Sequence, residues 1–142
     1  MARSLIAFLD SSALIYYFEG APQYRDAVLQ ALREMKALNP EALIAISRLG
    51  VMECRVKPLR EGNLALLAQY EAFFKQALIV ELSAAVIDVA THLRVNTALK
   101  TPDALQAACA LSFATACTFI TGDAGFARVP QLVVRHVRVG TV

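Results

Sequence analysis

Apolar residues in this chain follow two rhythms that alternate from one end to the other. Short, nearly continuous apolar runs at residues 5–9, 42–46, 79–82, 118–120 and 132–137 have the length and β-branched content of buried strands. Between them apolar positions recur at helical spacing, as in Val28, Ala31, Leu32, Met35 and Leu38. Punctuation sets the helix limits. One helix runs from Ser11 to about Glu19, stopped by Gly20 and Pro22, and a second covers 23–38, stopped by Asn39-Pro40. Ser47 caps a short helix through Glu53 toward Val56, with Pro58 beyond it, and Asn63 caps another through Ala77. Ser83 opens a helix to about Leu99. Thr101-Pro102-Asp103 combines a cap, a first-turn proline and a first-turn acid for a helix that ends near Cys117. Parallel strands need crossover connections, and helices provide them. The alternation therefore predicts one α/β domain over residues 1–142, a mainly parallel five-stranded sheet with helices on both faces.

Four carboxylates share a place in that pattern. Asp10 and Asp123 follow the first and fourth apolar runs, while Glu53 and Asp103 fall near helix starts, behind the caps Ser47 and Thr101. Ligands of an open parallel sheet bind outside the carboxyl ends of its strands, where strand ends and helix starts meet. Four acids should converge there. Clustered carboxylates raise one another's pKa, and bound cations relieve the repulsion, so the pattern points to a metal-dependent site. Each acid alone also has a plain structural reading. Asp10 suits a helix cap, Asp103 the helix dipole, Asp123 a turn after Gly122, and Glu53 a solvated helix face. Asp88, Glu71 and Glu81 lack the shared placement and read as surface charges.

The stretches Phe8-Leu9-Asp10-Ser11-Ser12-Ala13-Leu14-Ile15, Ser47 to Glu53, Pro102-Asp103-Ala104-Leu105 and Thr121-Gly122-Asp123-Ala124-Gly125-Phe126 resemble the motifs of PIN-domain ribonucleases. Their order over nearly the whole chain resembles the VapC-type toxins of toxin–antitoxin pairs. The resemblance implies that Asp10, Glu53, Asp103 and Asp123 are the catalytic, metal-binding acids, with Ser11 and Thr121 as supporting polar groups. It implies a PIN fold, a metal-dependent endoribonuclease and an antitoxin protein as partner. Two positions depart from the family's habit: Gly125 stands where a further acid is frequent, and Gln106 where His is frequent. A second ion is then held weakly, or only together with substrate phosphate.

Carboxylate oxygens suit Mg²⁺ or Mn²⁺, hard cations that recruit phosphate oxygens to complete their shells. One ion activates water while a second, about 3.5–4 Å away, stabilises the leaving oxygen of an RNA phosphodiester. No side-chain nucleophile is needed. His92 in a helix and His136 in the last strand are expected away from the acids. Arg48, Arg55, Lys57 and Arg60 flank Glu53, as phosphate contacts for RNA or as a solvated basic face. Tyr16, Tyr17 and Phe18 suit base stacking or, in the first helix, core or dimer packing.

The hydrophobic share of 57% and mean hydropathy of +0.50 exceed the usual apolar share of about 45–50%, so an apolar face toward a second copy is expected. A homodimer follows. No apolar run approaches the ~20 residues of a membrane span, and Asp10 interrupts the run behind Arg3 before a secretion signal is complete, which predicts a cytoplasmic protein. Net charge is only +2, from 14 Lys and Arg against 12 Asp and Glu. With the four acids neutralised by cations the remainder is distinctly basic, which suits an anionic polymer. Cys54, Cys109 and Cys117 are odd in number and unpaired in spacing, so they read as free thiols. A phosphoacceptor signalling domain would need paired acids after the first strand and a late lysine. Ser11-Ser12 follow Asp10, and no lysine follows Lys100. An RNA-binding or interaction module without catalysis is the other alternative, which a failure to bind Mn²⁺ would favour.

Overall fold

The computed structural model describes residues 5–139. Five strands, β1 (Ile6–Leu9), β2 (Leu43–Ser47), β3 (Leu78–Val80), β4 (Cys117–Thr121) and β5 (Val133–His136), form one sheet in the order β3-β2-β1-β4-β5. Every neighbouring pair is parallel. Six helices connect them: α1 (Ser11–Glu19), α2 (Pro22–Leu38), α3 (Arg48–Glu61), α4 (Leu64–Gln76), α5 (Ala84–Asn96) and α6 (Thr101–Leu111). A 3-10 helix, Ala124–Arg128, leads from β4 toward β5. This is the α/β architecture the sequence predicts.

Side chains alternate across a strand, and β1 uses both directions. Ile6 and Phe8 pack with Phe119, Val86, Leu93 and the alanine-rich face of α6, while Ala7 and Leu9 pack with Leu14, Val28, Val51 and Tyr70 from α1 to α4. Helices thus cover both faces. Burying each large aliphatic or aromatic side chain contributes about 1.5–3 kcal/mol, so these two cores fix the sheet and hence the strand ends that carry the acids. Cys54 and Cys109 are buried and Cys117 partly so, all three as free thiols, and burial pushes the Cys54 thiol up to about 12. Among the described residues no helix is long and apolar enough to cross a membrane.

Several helix limits differ from the sequence reading; the helix opened by Ser83, for one, ends at Asn96 rather than about Leu99, with the Thr97 amide donating to the Leu93 carbonyl. Helix α3 runs through Pro58 to Glu61, because Pro58 is buried with Val51 and Cys54 and the real stop is Gly62, left-handed at φ 65°, with the Asn63 amide donating to the Pro58 carbonyl. Glu53 therefore lies mid-helix rather than near a start. Thr101 is the first residue of α6 and not its cap. Lys100 takes that position without a side-chain bond, and the Thr101 hydroxyl accepts from Arg94 instead, at 2.6 Å. Helix α6 stops at Leu111 rather than near Cys117, since both the amide and the hydroxyl of Ser112 turn back to the Cys109 carbonyl.

Candidate active site

Leu9 pairs with Ile120, so Asp10 and Thr121 leave the sheet side by side from adjacent strands. The chain crosses from one side of β1 to the other here, the switch point at which parallel sheets bind ligands. Asp10 caps α1. Its Oδ1 accepts from the Ala13 amide at 2.9 Å and the Ser12 hydroxyl at 2.7 Å, and its Oδ2 from the Thr121 hydroxyl at 2.5 Å. Thr121 Oγ1 in turn accepts from the Asp123 amide, and Ser12 Oγ from the Gly122 amide, which ties the start of α1 to the exit of β4. Asp10 is only 4% exposed. Burial pushes its carboxyl up to about 6, against the pull of those donors, with the charge of Asp103 adding to the rise.

Glu53 is held from two other directions. Its Oε1 accepts from the Ser11 hydroxyl at 2.7 Å and from Gln106 Nε2 at 3.2 Å. Gln106 also donates to Ser11 Oγ at 3.0 Å, and its Oε1 accepts from the Ser47 hydroxyl at 2.7 Å, whose oxygen caps α3 through the Gly50 amide. Asp103, in the first turn of α6, sits half-buried. Burial and the charges of Asp123 and Glu53 raise its carboxyl above the usual range, with Lys100 opposing. Asp123 is exposed, caps the 3-10 helix and accepts from the Gly125 amide at 2.8 Å.

Asp103 thus feels or affects each of the other three acids. Among the described residues no three of these side chains close into a ready-made cage. The donor set nevertheless fits a hard cation. Asp103 lies within electrostatic reach of the other three carboxylates, and the oxygens of Asp103, Glu53 Oε2 and Asp123 Oδ2 accept no hydrogen bond from the described residues, which leaves them open for coordination. Among the described residues the buried polar or charged side chains are Asp10, Ser47, Gln106 and Thr121, all at this site, and no buried side-chain polar atom lacks a partner. Burial of polar groups is costly unless they are bonded. Apart from the Tyr70 hydroxyl, which donates to Glu19, it is concentrated here and marks the site as a specified arrangement.

The supporting groups divide their work: Thr121 holds Asp10, and Ser11 holds Glu53. The four basic candidates also separate. Arg48 pairs with Glu81 and Arg55 with Glu71, both at 2.6 Å, and these two arginines line the outer face of α3 beside Met52 and Val56. Lys57 lies one turn after Glu53 and pairs with Glu19 at 3.2 Å. Arg60 is exposed with no ion pair among the described residues. Phe18 packs on Tyr70 and Phe73, and Tyr17 on Phe18, as core packing predicts; Tyr16 lies on Gly122. His92 is remote, but His136 is closer than expected, its Nε2 at 3.2 Å from the Gly122 carbonyl, because β5 pairs Thr121 with His136. Ser12 and the second role of Ser47 escape a sequence reading that treats hydroxyls only as caps. Gln106 stands out there only as a departure from family habit, although its place one turn beyond Asp103 on the same helix was a usable signal.

The family model described as PIN domain matches residues 7–132. The chain belongs to the PIN domain family. Among solved structures it is similar to VapBC2 from Rickettsia felis bound to a DNA fragment from their promoter, with 23% identity, a TM-score of 0.73, and coverage of 94% of this chain and 99% of that one. A toxin–antitoxin complex from Klebsiella pneumoniae is 26% identical with a TM-score of 0.69, covering 89% of this chain and 95% of that one. DNA-bound VapBC from Salmonella typhimurium is 19% identical with a TM-score of 0.67, covering 94% and 99%. No curated protein matches the chain.

Proposed function

We propose that this PIN domain is a Mg²⁺- or Mn²⁺-dependent endoribonuclease, the cytoplasmic toxin of a VapBC-type pair, active as a homodimer and restrained by an antitoxin. The observation that carries the reading is the position of Asp103 as common electrostatic neighbour of Asp10, Glu53 and Asp123 at the carboxyl edge of a parallel sheet. Such a cluster is repulsive without cations and suited to them once bound. Asp10, Glu53, Asp103 and Asp123 would hold the ions, which when bound supply activation of water and charge stabilisation of the phosphodiester. The chain's own contribution is positioning. Three donors fix Asp10 and two fix Glu53, so their oxygens need little reorganisation on binding. The likeness to toxin–antitoxin complexes supports the toxin and antitoxin assignment.

Purified protein incubated with mixed cellular RNA and Mn²⁺, followed by mapping of cut ends, tests this directly. Cleavage is expected with Mn²⁺ and not with a chelator. Glu53→Gln should abolish it, whereas a merely solvated Glu53 predicts no change. Intact RNA together with no Mn²⁺ binding would favour the non-catalytic interaction module.

A further inference from the structure

A cavity of about 320 Å³ opens beside Glu53, between the end of α1, the start of α2 and the inner face of α3. Its size is at the low end of the roughly 300–1,000 Å³ of small-ligand sites, enough for one compact group. Ile15, Tyr16 and Tyr24 form an apolar and aromatic wall, with the two tyrosine rings 4.8 Å apart and tilted by 54°. Glu19 and Lys57 bound the cavity elsewhere. That pair is fixed in place: Glu19 Oε2 accepts from the fully buried Tyr70 hydroxyl at 2.5 Å, and Oε1 meets Lys57 Nζ at 3.2 Å.

Tyr16 joins this cavity to the acids. Its ring lies so close to Gly122 that a Cβ there would come within 2.5 Å of the ring, so the absence of a side chain at 122 is what lets the ring rest on the turn leading into Asp123. The Tyr16 hydroxyl has no hydrogen-bond partner among the described residues. A site built for phosphate alone would present cations. This one presents an aromatic wall, and beside it one acceptor and one donor.

We propose that the cavity takes a nucleobase of single-stranded RNA, stacked on Tyr16 with its polar edge toward Glu19 and Lys57, next to the phosphate that is cut. Every base has a face that stacks on an aromatic ring, and the edge contacts then discriminate among bases. Lys57 thereby serves the base edge, whereas Arg48 and Arg55 face the other side of α3. The phosphate's place rests on the nuclease reading; the base pocket itself does not.

Neutral nucleosides probe the pocket independently of metal and cleavage. NMR titration of the whole protein with adenosine, cytidine, guanosine and uridine should shift the Tyr16 and Tyr24 ring resonances saturably, with different affinities for the four. Tyr16→Ala should weaken the preferred nucleoside about ten-fold, the scale of one lost stack. Lys57→Met removes the cation beside Glu19, a side chain only 12% exposed that keeps its bond from Tyr70, and, once the variant's spectrum shows it folded, should flatten the preference. Mapped cut ends of the wild type should carry a base bias that both variants reduce. Rings that no nucleoside shifts would overturn the proposal. A base bias unchanged in both variants would overturn it too. Nucleoside binding in a protein that cuts no RNA would sink the nuclease reading and leave the pocket standing.

Discussion

Gln106 Nε2 donates to Glu53 Oε1 across the α6–α3 contact, and the Ser47 hydroxyl, donating to Gln106 Oε1, fixes which end of the amide faces the acid. Both donors to Glu53 reach the same oxygen, so Oε2 stays open toward the other carboxylates. The chain keeps this orientation with a group that does not titrate.

Gln106→Met should therefore weaken Mn²⁺ binding by about ten-fold or more, the usual effect of removing a partner of a metal ligand. It should also cost about 1–3 kcal/mol of stability by leaving the buried Ser47 hydroxyl with one partner fewer. Gln106→His, which can both accept from Ser47 and donate to Glu53, should restore most of the affinity. Calorimetric titration with Mn²⁺ reads the difference. Equal affinities for the wild type and the Met variant would make Gln106 a packing residue only.

Asp10 offers a test of sign. Burial pushes its carboxyl up from the ordinary 3.8 to about 6 in the folded chain, so the native state binds more protons than the unfolded one between those pH values. Stability from this group consequently falls as pH rises through that window, by at most about 3 kcal/mol. Asp10→Asn removes the ionised form while keeping an acceptor for Ala13 and Ser12. In the absence of metal at pH 7 the variant should melt higher than the wild type, and yet lose RNA cleavage. A lower melting temperature would mean that the hydrogen bond from Thr121 outweighs the buried charge.

Most of the fold was legible because strand and helix patterns carry their own periodicity. The acids were legible for the same reason: Asp10 and Asp123 end apolar runs, and topology does the rest. What was not legible depends on side-chain contacts between elements distant in sequence. Pro58 reads as a stop, yet its burial beside Cys54 carries α3 onward to Gly62. Thr101 reads as a cap, yet Arg94 claims its hydroxyl. Gln106 and Ser47 are 59 positions apart, and nothing local to either announces the bond that orients Glu53.

Metal binding should depend on pH through the same carboxyls. A cation must displace the proton from Asp10, which leaves near pH 6, and from Asp103, also raised by burial and by Asp123 and Glu53. Mn²⁺ affinity is expected to hold above pH 7 and to fall progressively as pH drops through 6, with RNA cleavage following it. Titrations at pH 5, 6 and 7.5 check this. An affinity that is flat over that range would show that neither proton competes with the ion.

The outer face of α3 carries the last prediction. Met52, Val56 and Leu59 stand 56%, 41% and 61% exposed along one stripe, flanked by Arg48 and Arg55, each already neutralised by an acid of its own chain. A stripe of this kind on a helix is self-complementary under a two-fold axis, and burying it in a second copy removes apolar area from water without stranding a charge. Light scattering of the purified chain at micromolar concentration should return twice the 15.4 kDa of one copy. Leu59→Glu places two like charges near the axis and should shift the mass toward a single copy. A wild type that already runs as a monomer would refute the dimer, whereas a variant that stays dimeric would move the interface off this stripe.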